Sequence, residues 1–304
     1  MKHQVFSRGF TLIEILVALA IGSVLMASVL AIFKSQADSH SYQKEVVALE
    51  QNLRGAMEVL TGELQMTGFA IGSLTPCIEV GNLDLRGDGS LMVLSNDDPN
   101  RNNADALRLT RAVDNGMPVI KQPGASPLIW VCQSNYEIGD KFFSISSDRS
   151  QGTYLIIEAI NIENMTCGSC PVKCDKLWVD KDLANDYDDG TIYTPHVYSF
   201  YIEPDFNGDG EVNDPALMMV VDNGADPPPF VASPVAFGIS DMQVTYILDD
   251  ETETTAPLDT MKVRMVRIEI SGTTPHPHKI GFGGTATQRQ RALTTSVKLR
   301  NLGL

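Results

Sequence analysis

The chain has 304 residues, 43% of them hydrophobic and 20% charged, with a formal net charge of −15. That is material for one large or two small domains with a real core, and it excludes a chain that is disordered throughout. The acidity excludes nucleic acid as the main partner, because phosphate binding needs a basic face; it suits solubility or a divalent cation instead.

Residues 1–9, MKHQVFSRG, are short and polar, with cations at Lys2 and Arg8. From Phe10 to Phe33 follow 24 residues with one charge, Glu14. A helix rises about 1.5 Å per residue, so this run reaches about 36 Å, enough for a hydrocarbon core of about 30 Å. The cations before it keep the amino terminus cytoplasmic and put the rest of the chain across the inner membrane. A secretory signal peptide has a shorter apolar run with its small-residue cleavage site behind it. Here the small residue, Gly9, stands in front. A plain signal anchor does not explain a carboxylate five residues into the apolar run.

Such a carboxylate costs about 2.5–3.5 kcal/mol at membrane depth, and a residue that expensive usually has a partner and a function. Cleavage after Gly9 would expose the amine of Phe10 within a turn of Glu14. In a packed array of these helices, Glu14 of one subunit could neutralise the Phe10 amine of its neighbour.

The run Arg8-Gly9-Phe10-Thr11-Leu12-Ile13-Glu14 resembles the type IV prepilin processing motif. The resemblance implies cleavage between Gly9 and Phe10 by a prepilin peptidase, N-methylation of Phe10, and a role for Glu14 in docking into a filament. It divides the chain into a leader at 1–9, a transmembrane and filament-core helix at 10–33, an amphipathic helix at 34–68 and a head at 69–304.

Beyond Lys34, Val46, Val47, Leu49, Leu53, Met57, Leu60 and Leu64 recur mostly every three or four residues. That spacing puts one apolar stripe on a helix. One helix is therefore predicted from about Thr11 to Met66. Gly22, Gly55 and Gly62 within it read as sites of close packing. The stretch Asn52–Phe69, closing in Glu63-Leu64-Gln65-Met66-Thr67-Gly68-Phe69, is similar to the region after the anchor in PilW-type minor pilins.

Past Gly72, short β-type runs separated by Gly, Asn, Asp and Pro take over. The predicted strands are 91–94, 106–110, 128–132, 142–145, 154–160, 196–202, 217–221, 242–248, 263–270 and 295–299. One long helix followed by strands predicts an α+β fold whose head carries a mainly antiparallel sheet. The polar stretches 96–103, 175–190, 222–229 and 271–290 read as surface loops. Ser233–Leu248 and Thr294–Asn301 also resemble the end of the PilW-type head.

Asp205, Asn207, Asp209, Glu211, Asn213 and Asp214 form a run similar to the start of an EF-hand or dockerin-type loop, with a turn glycine at Gly210. Oxygen donors at alternate positions suit a structural Ca²⁺, though Ala216 holds the place of the usual last carboxylate. An Asx-rich turn is the competing reading, and the sequence leaves both open. The five cysteines are Cys77, Cys132, Cys167, Cys170 and Cys174. An exported chain favours disulfides over a zinc site, with one thiol left over and the pairing undefined. No His follows a C-x-x-C, so haem attachment is not indicated. His276-Pro277-His278 reads as a solvated loop, and Arg86-Gly87-Asp88 as a chance tripeptide. No phosphate-binding loop, G-x-S-x-G or H-E-x-x-H occurs, and the sequence gives no reason to assign catalysis.

The resemblance implies a structural subunit that starts in the inner membrane and moves to a periplasmic or surface filament. Its partners would be major and other minor pilins, the prepilin peptidase and the pilus assembly platform. A J-type pseudopilin capping a secretion pseudopilus is the first alternative. A membrane-anchored periplasmic binding protein or enzyme is the second.

Overall fold

The computed structural model describes residues 11–71, 77–79, 83–84, 93–94, 104–113, 116–122, 126–132, 135–166, 173–183, 187–210, 214–222, 232–279 and 286–300. One helix, α1 (Leu12–Met66), runs 55 residues. It meets the rest of the chain through Leu49, Leu53, Ala56, Leu60 and Leu64, all buried. Steps of four, three, four and four keep these side chains on one face. Val47, placed on that stripe from sequence, is half exposed. It lies one position off the register that Leu49 and Leu53 set.

Gly55 and Gly62 do not mediate close packing: an added Cβ at either, or at Gly22, meets nothing within 4 Å. Both Gly55 and Gly62 sit on the exposed side of the helix. A close approach occurs elsewhere. A Cβ on Gly272 would lie 2.2 Å from the Gly238 carbonyl oxygen and 2.8 Å from Leu49 Cδ1.

Strands follow α1 in this order: β1 (Ile78–Glu79), β2 (Leu83–Asp84), β3 (Val93–Leu94) and β4 (Leu107–Ala112). Next come β5 (Met117–Lys121), β6 (Ser126–Cys132), β7 (Lys141–Ile145), β8 (Gly152–Thr166), β9 (Lys173–Leu183) and β10 (Thr191–Tyr193). Then come β11 (Pro195–Glu203), β12 (Ala216–Asp222), β13 (Ser233–Phe237), β14 (Ile239–Leu248) and β15 (Glu253–Thr254). The last are β16 (Val263–Thr273), β17 (His278–Lys279), β18 (Ala286–Thr287) and β19 (Gln290–Lys298). A long helix followed by antiparallel strands makes the chain α+β. Its head is not built on one sheet. There is a five-stranded sheet in the order β1-β4-β11-β12-β13, a four-stranded sheet β15-β14-β16-β19, and a closed six-stranded barrel β10-β5-β6-β9-β8-β7.

The barrel is inserted between β4 and β11, which pair directly in the five-stranded sheet. Two cores result. α1 and the two sheets share one, built on Leu53, Leu60, Leu107, Phe200, Tyr246 and Ile268. The barrel interior holds another, built on Ile129, Val131, Phe142, Leu155 and Leu177. β7 serves both, because alternate residues of a strand face opposite ways. Phe142 points into the barrel, while Phe143 and Ile145 join the core under α1.

The exit from α1 is pinned to β4 and β11. Thr67 caps the helix, and Gly68 follows with φ of 73°. Gly68 N donates to Thr110 O at 2.9 Å, and Ala112 N donates to Phe69 O at 3.1 Å. The Arg111 guanidinium donates to Glu63 Oε2 at 2.9 Å and to the Tyr198 hydroxyl at 3.0 Å, and stacks 4.8 Å from the Tyr198 ring centre. Burial, more than its charged neighbours, pushes the Tyr198 hydroxyl above its ordinary value.

The stretch 175–190, read from sequence as a loop, is largely strand, since β9 runs to Leu183. The stretch 271–290 likewise contains the end of β16 and the short β17–β18 pair.

Because Leu60 is fully buried in the shared core, Leu60→Ala is expected to cost about 2–5 kcal/mol. Val47→Ala, on the exposed side, should stay within about 0.5 kcal/mol. Urea unfolding of the detergent-solubilised chain compares the two.

Candidate functional site: the amino-terminal helix

Thr11 is the N-cap of α1, with φ of −80° and ψ of 150°. Its hydroxyl accepts from Glu14 N at 3.3 Å, while Glu14 Oε2 accepts from Thr11 N at 3.0 Å and from the Thr11 hydroxyl at 3.1 Å. This reciprocal capping box satisfies donors that the first turn otherwise leaves open, and a carboxylate there also meets the positive end of the helix dipole. The role of Thr11 escaped the sequence reading, although T-x-x-E ahead of an apolar run carries that signal.

From Leu12 to Phe33 every residue of the helix is exposed. Fourteen large apolar side chains, from Leu12 at 76% to Phe33 at 64%, are exposed, and the least exposed is Val29 at 44%. Burying such a side chain is worth about 1.5–3 kcal/mol, so leaving this surface in water forfeits something on the order of 20 kcal/mol. The polar residues are self-satisfied: the Ser23 hydroxyl donates to Ala20 O at 2.8 Å and the Ser28 hydroxyl to Val24 O at 2.9 Å. Back-bonding of this kind fits an apolar solvent. Glu14 is the one ionisable residue from Leu12 to Phe33. The helix is long and apolar enough to cross a membrane. Gly9 and Phe10 lie outside the described residues.

Residues 6–30 match the family model described as the prokaryotic N-terminal methylation motif. No curated protein and no solved structure matches the chain. The motif and the partnerless apolar helix support a type IV pilin-like or pseudopilin protein. The motif implies processing by a prepilin peptidase and assembly with other pilins, and the apolar helix fits inner-membrane anchoring before assembly.

The other predicted positions lie in the head. Asp205 and Asp214 are joined by a parallel β-bridge. Asp205 Oδ1 accepts from Gly208 N at 2.8 Å and Asp209 N at 3.2 Å, and Oδ2 accepts from Gly210 N at 2.8 Å. Asn207 Oδ1 accepts from Asp209 N at 2.8 Å, and Asp214 Oδ2 accepts from Asn207 N at 2.9 Å. Gly208 and Gly210 take the positive φ, 72° and 87°, that this tight winding requires. Glu211 and Asn213 lie outside the described residues, as do Cys167, Cys170 and Arg86–Asp88. Among the described residues no group of three His, Cys, Asp or Glu side chains is placed to hold a metal, and no cofactor is indicated.

Cys132 on β6 and Cys174 on β9 are each disulfide-bonded. Cys77 keeps its thiol and is buried beside β1, which pushes it up to about 12. His276 Nδ1 lies 3.2 Å from Glu45 Oε1 of α1.

A thiol held at that value in the core is unreactive. At about pH 8, native chain should leave Cys77 unlabelled by iodoacetamide, whereas urea should expose it. Peptide mass spectrometry reads the difference; equal labelling in both states contradicts the placement.

Proposed function

We propose that the chain is a minor type IV pilin of the PilW type, cleaved between Gly9 and Phe10 and installed at or near the filament tip, where it primes assembly. The observation that carries this reading is the prepilin-type motif leading into an apolar helix that its own head leaves bare. Lipid covers that surface first and neighbouring helices cover it afterwards. Glu14 then exchanges part of its bonding to Thr11 for the amine of a neighbour's Phe10. The size of the head supports a terminal place: an inserted six-stranded barrel adds bulk that a tightly packed shaft accommodates poorly.

Gly9→Ala is expected to block processing, seen as an unshifted precursor band. Glu14→Ala should be processed normally yet disappear from the sheared filament fraction. Loss of pili and twitching on gene deletion supports the pilin, whereas loss of exoprotein secretion with pili intact favours a J-type pseudopilin.

The acidic loop is assigned a structural Ca²⁺ in the same proposal, with Asp205, Asn207, Asp209, Glu211, Asn213 and Asp214 as oxygen donors. Support comes from Asp214 Oδ1, which is buried without a hydrogen-bond partner among the described residues. A ligand held at 100 times its Kd stabilises by about 2.7 kcal/mol. Chelator should therefore lower the melting temperature of the solubilised chain, and added Ca²⁺ should restore it. An unchanged melting temperature leaves the loop as an Asx turn.

A further inference from the structure

The four-stranded sheet ends on two unlike edges. On the β14 side the chain closes its own edge. Asp105 N donates to Met242 O at 2.7 Å, Val244 N donates to Asp105 Oδ2 at 2.7 Å, and β15 pairs with Tyr246 and Ile247. On the other side β19 pairs with β16 in unbroken register from Gln290 to Lys298, and among the described residues no strand lies beyond it. A strand with one neighbour turns about half of its N–H and C=O groups outward. Natural sheets cover or blunt such an edge, because it is a template for another strand. Among the described residues no strand pairs with the outer side of these nine residues. Their exposed face carries Ala292, Thr294 and Ser296, small side chains that do not obstruct an incoming strand.

The charge of this edge opposes that of the chain. Residues 271–304 contain Lys279, Arg289, Arg291, Lys298 and Arg300 and no Asp or Glu, in a chain of net charge −15. Arg291 reaches Glu50 at 3.2 Å and Arg289 reaches the Tyr42 hydroxyl at 3.4 Å, which fixes the start of β19 on α1. Lys298 and Arg300, at its far end, have no ion pair among the described residues. Two copies meeting through this edge would set cation against cation, which is disfavoured. An acidic strand meets both needs of the edge, its open main chain and its unpaired cations.

We propose that β19 is a docking edge that accepts an extended, acidic strand from a neighbouring subunit, continuing the four-stranded sheet across the subunit boundary. That the occupant is a fellow filament subunit rests on the pilin reading above. The open edge and its charge do not.

The test is photo-crosslinking in cells carrying the full chain with its filament system. Benzoylphenylalanine replaces Thr294 on β19 or, as the control, Thr245 on the inner strand β14. The Thr294 site should give an adduct and the Thr245 site should not. The Thr294 adduct should fall about tenfold in the Lys298→Glu/Arg300→Glu variant, because like charges across an interface are strongly disfavoured. Both substituted residues lie on the surface, and an unchanged melting temperature checks that the head is intact. Mass spectrometry of the adduct should return an Asp- or Glu-bearing strand of another subunit. An adduct with a second copy of this chain, equal yields at both sites, insensitivity to charge reversal, or no Thr294 adduct overturns the proposal. If the chain is present in sheared filaments while Thr294 stays silent, the edge proposal falls and the pilin reading survives. If it is absent from them as well, both fall.

Discussion

An apolar helix surface with nothing of its own chain to cover it governs this molecule. From Leu12 to Phe33 the side chains of α1 face outward on every side, and from Leu49 onward the same helix packs into a core. One continuous helix thus serves two solvents. Its first half matches a bilayer in length and composition, and its second half needs a globular partner. A hydrophobic surface worth on the order of 20 kcal/mol is costly to leave in water, which fits inner-membrane anchoring. The single carboxylate from Leu12 to Phe33 is satisfied locally by the Thr11 N–H and hydroxyl.

The head is organised around the second half of the helix. Leu53, Ala56, Leu60 and Leu64 occupy the space between the two open sheets, and the Glu63–Arg111–Tyr198 cluster fixes the angle at which the chain leaves the helix. The barrel is an elaboration of this plan. It departs from the end of β4, returns at β11, and is tied back through β7, whose two faces feed both cores.

The helix was legible in the sequence because its signals are local: an uninterrupted apolar run, then a three-and-four spacing, with no proline before Pro76. Its predicted span, Thr11 to Met66, differs from α1 by the N-cap residue alone. Runs such as 142–145, 217–221 and 242–248 fall inside observed strands because their residues are apolar on one face or both. β9 was hidden by charge. Asp175, Lys176, Asp180, Lys181 and Asp182 imitate a loop, while Leu177, Val179 and Leu183 line the barrel. β5 and β13 were not among the predicted strands; each carries a proline, Pro118 and Pro234, and β13 is an edge strand, where proline is tolerated. Closure of the barrel was not legible at all, since it depends on pairing between β7 and β10, far apart in the chain. At the amino terminus Glu14 stood out as a lone charge, whereas its partner Thr11 is an ordinary residue whose role only the N-cap geometry displays.

The central claim is that the mature chain begins at Phe10 and enters a filament by the apolar part of α1. Intact mass and amino-terminal sequencing of the protein recovered from sheared filaments test it most directly. The account predicts a chain that starts at N-methylated Phe10 and lacks residues 1–9. A chain that still begins at Met1, or one trimmed beyond Phe33, would contradict it.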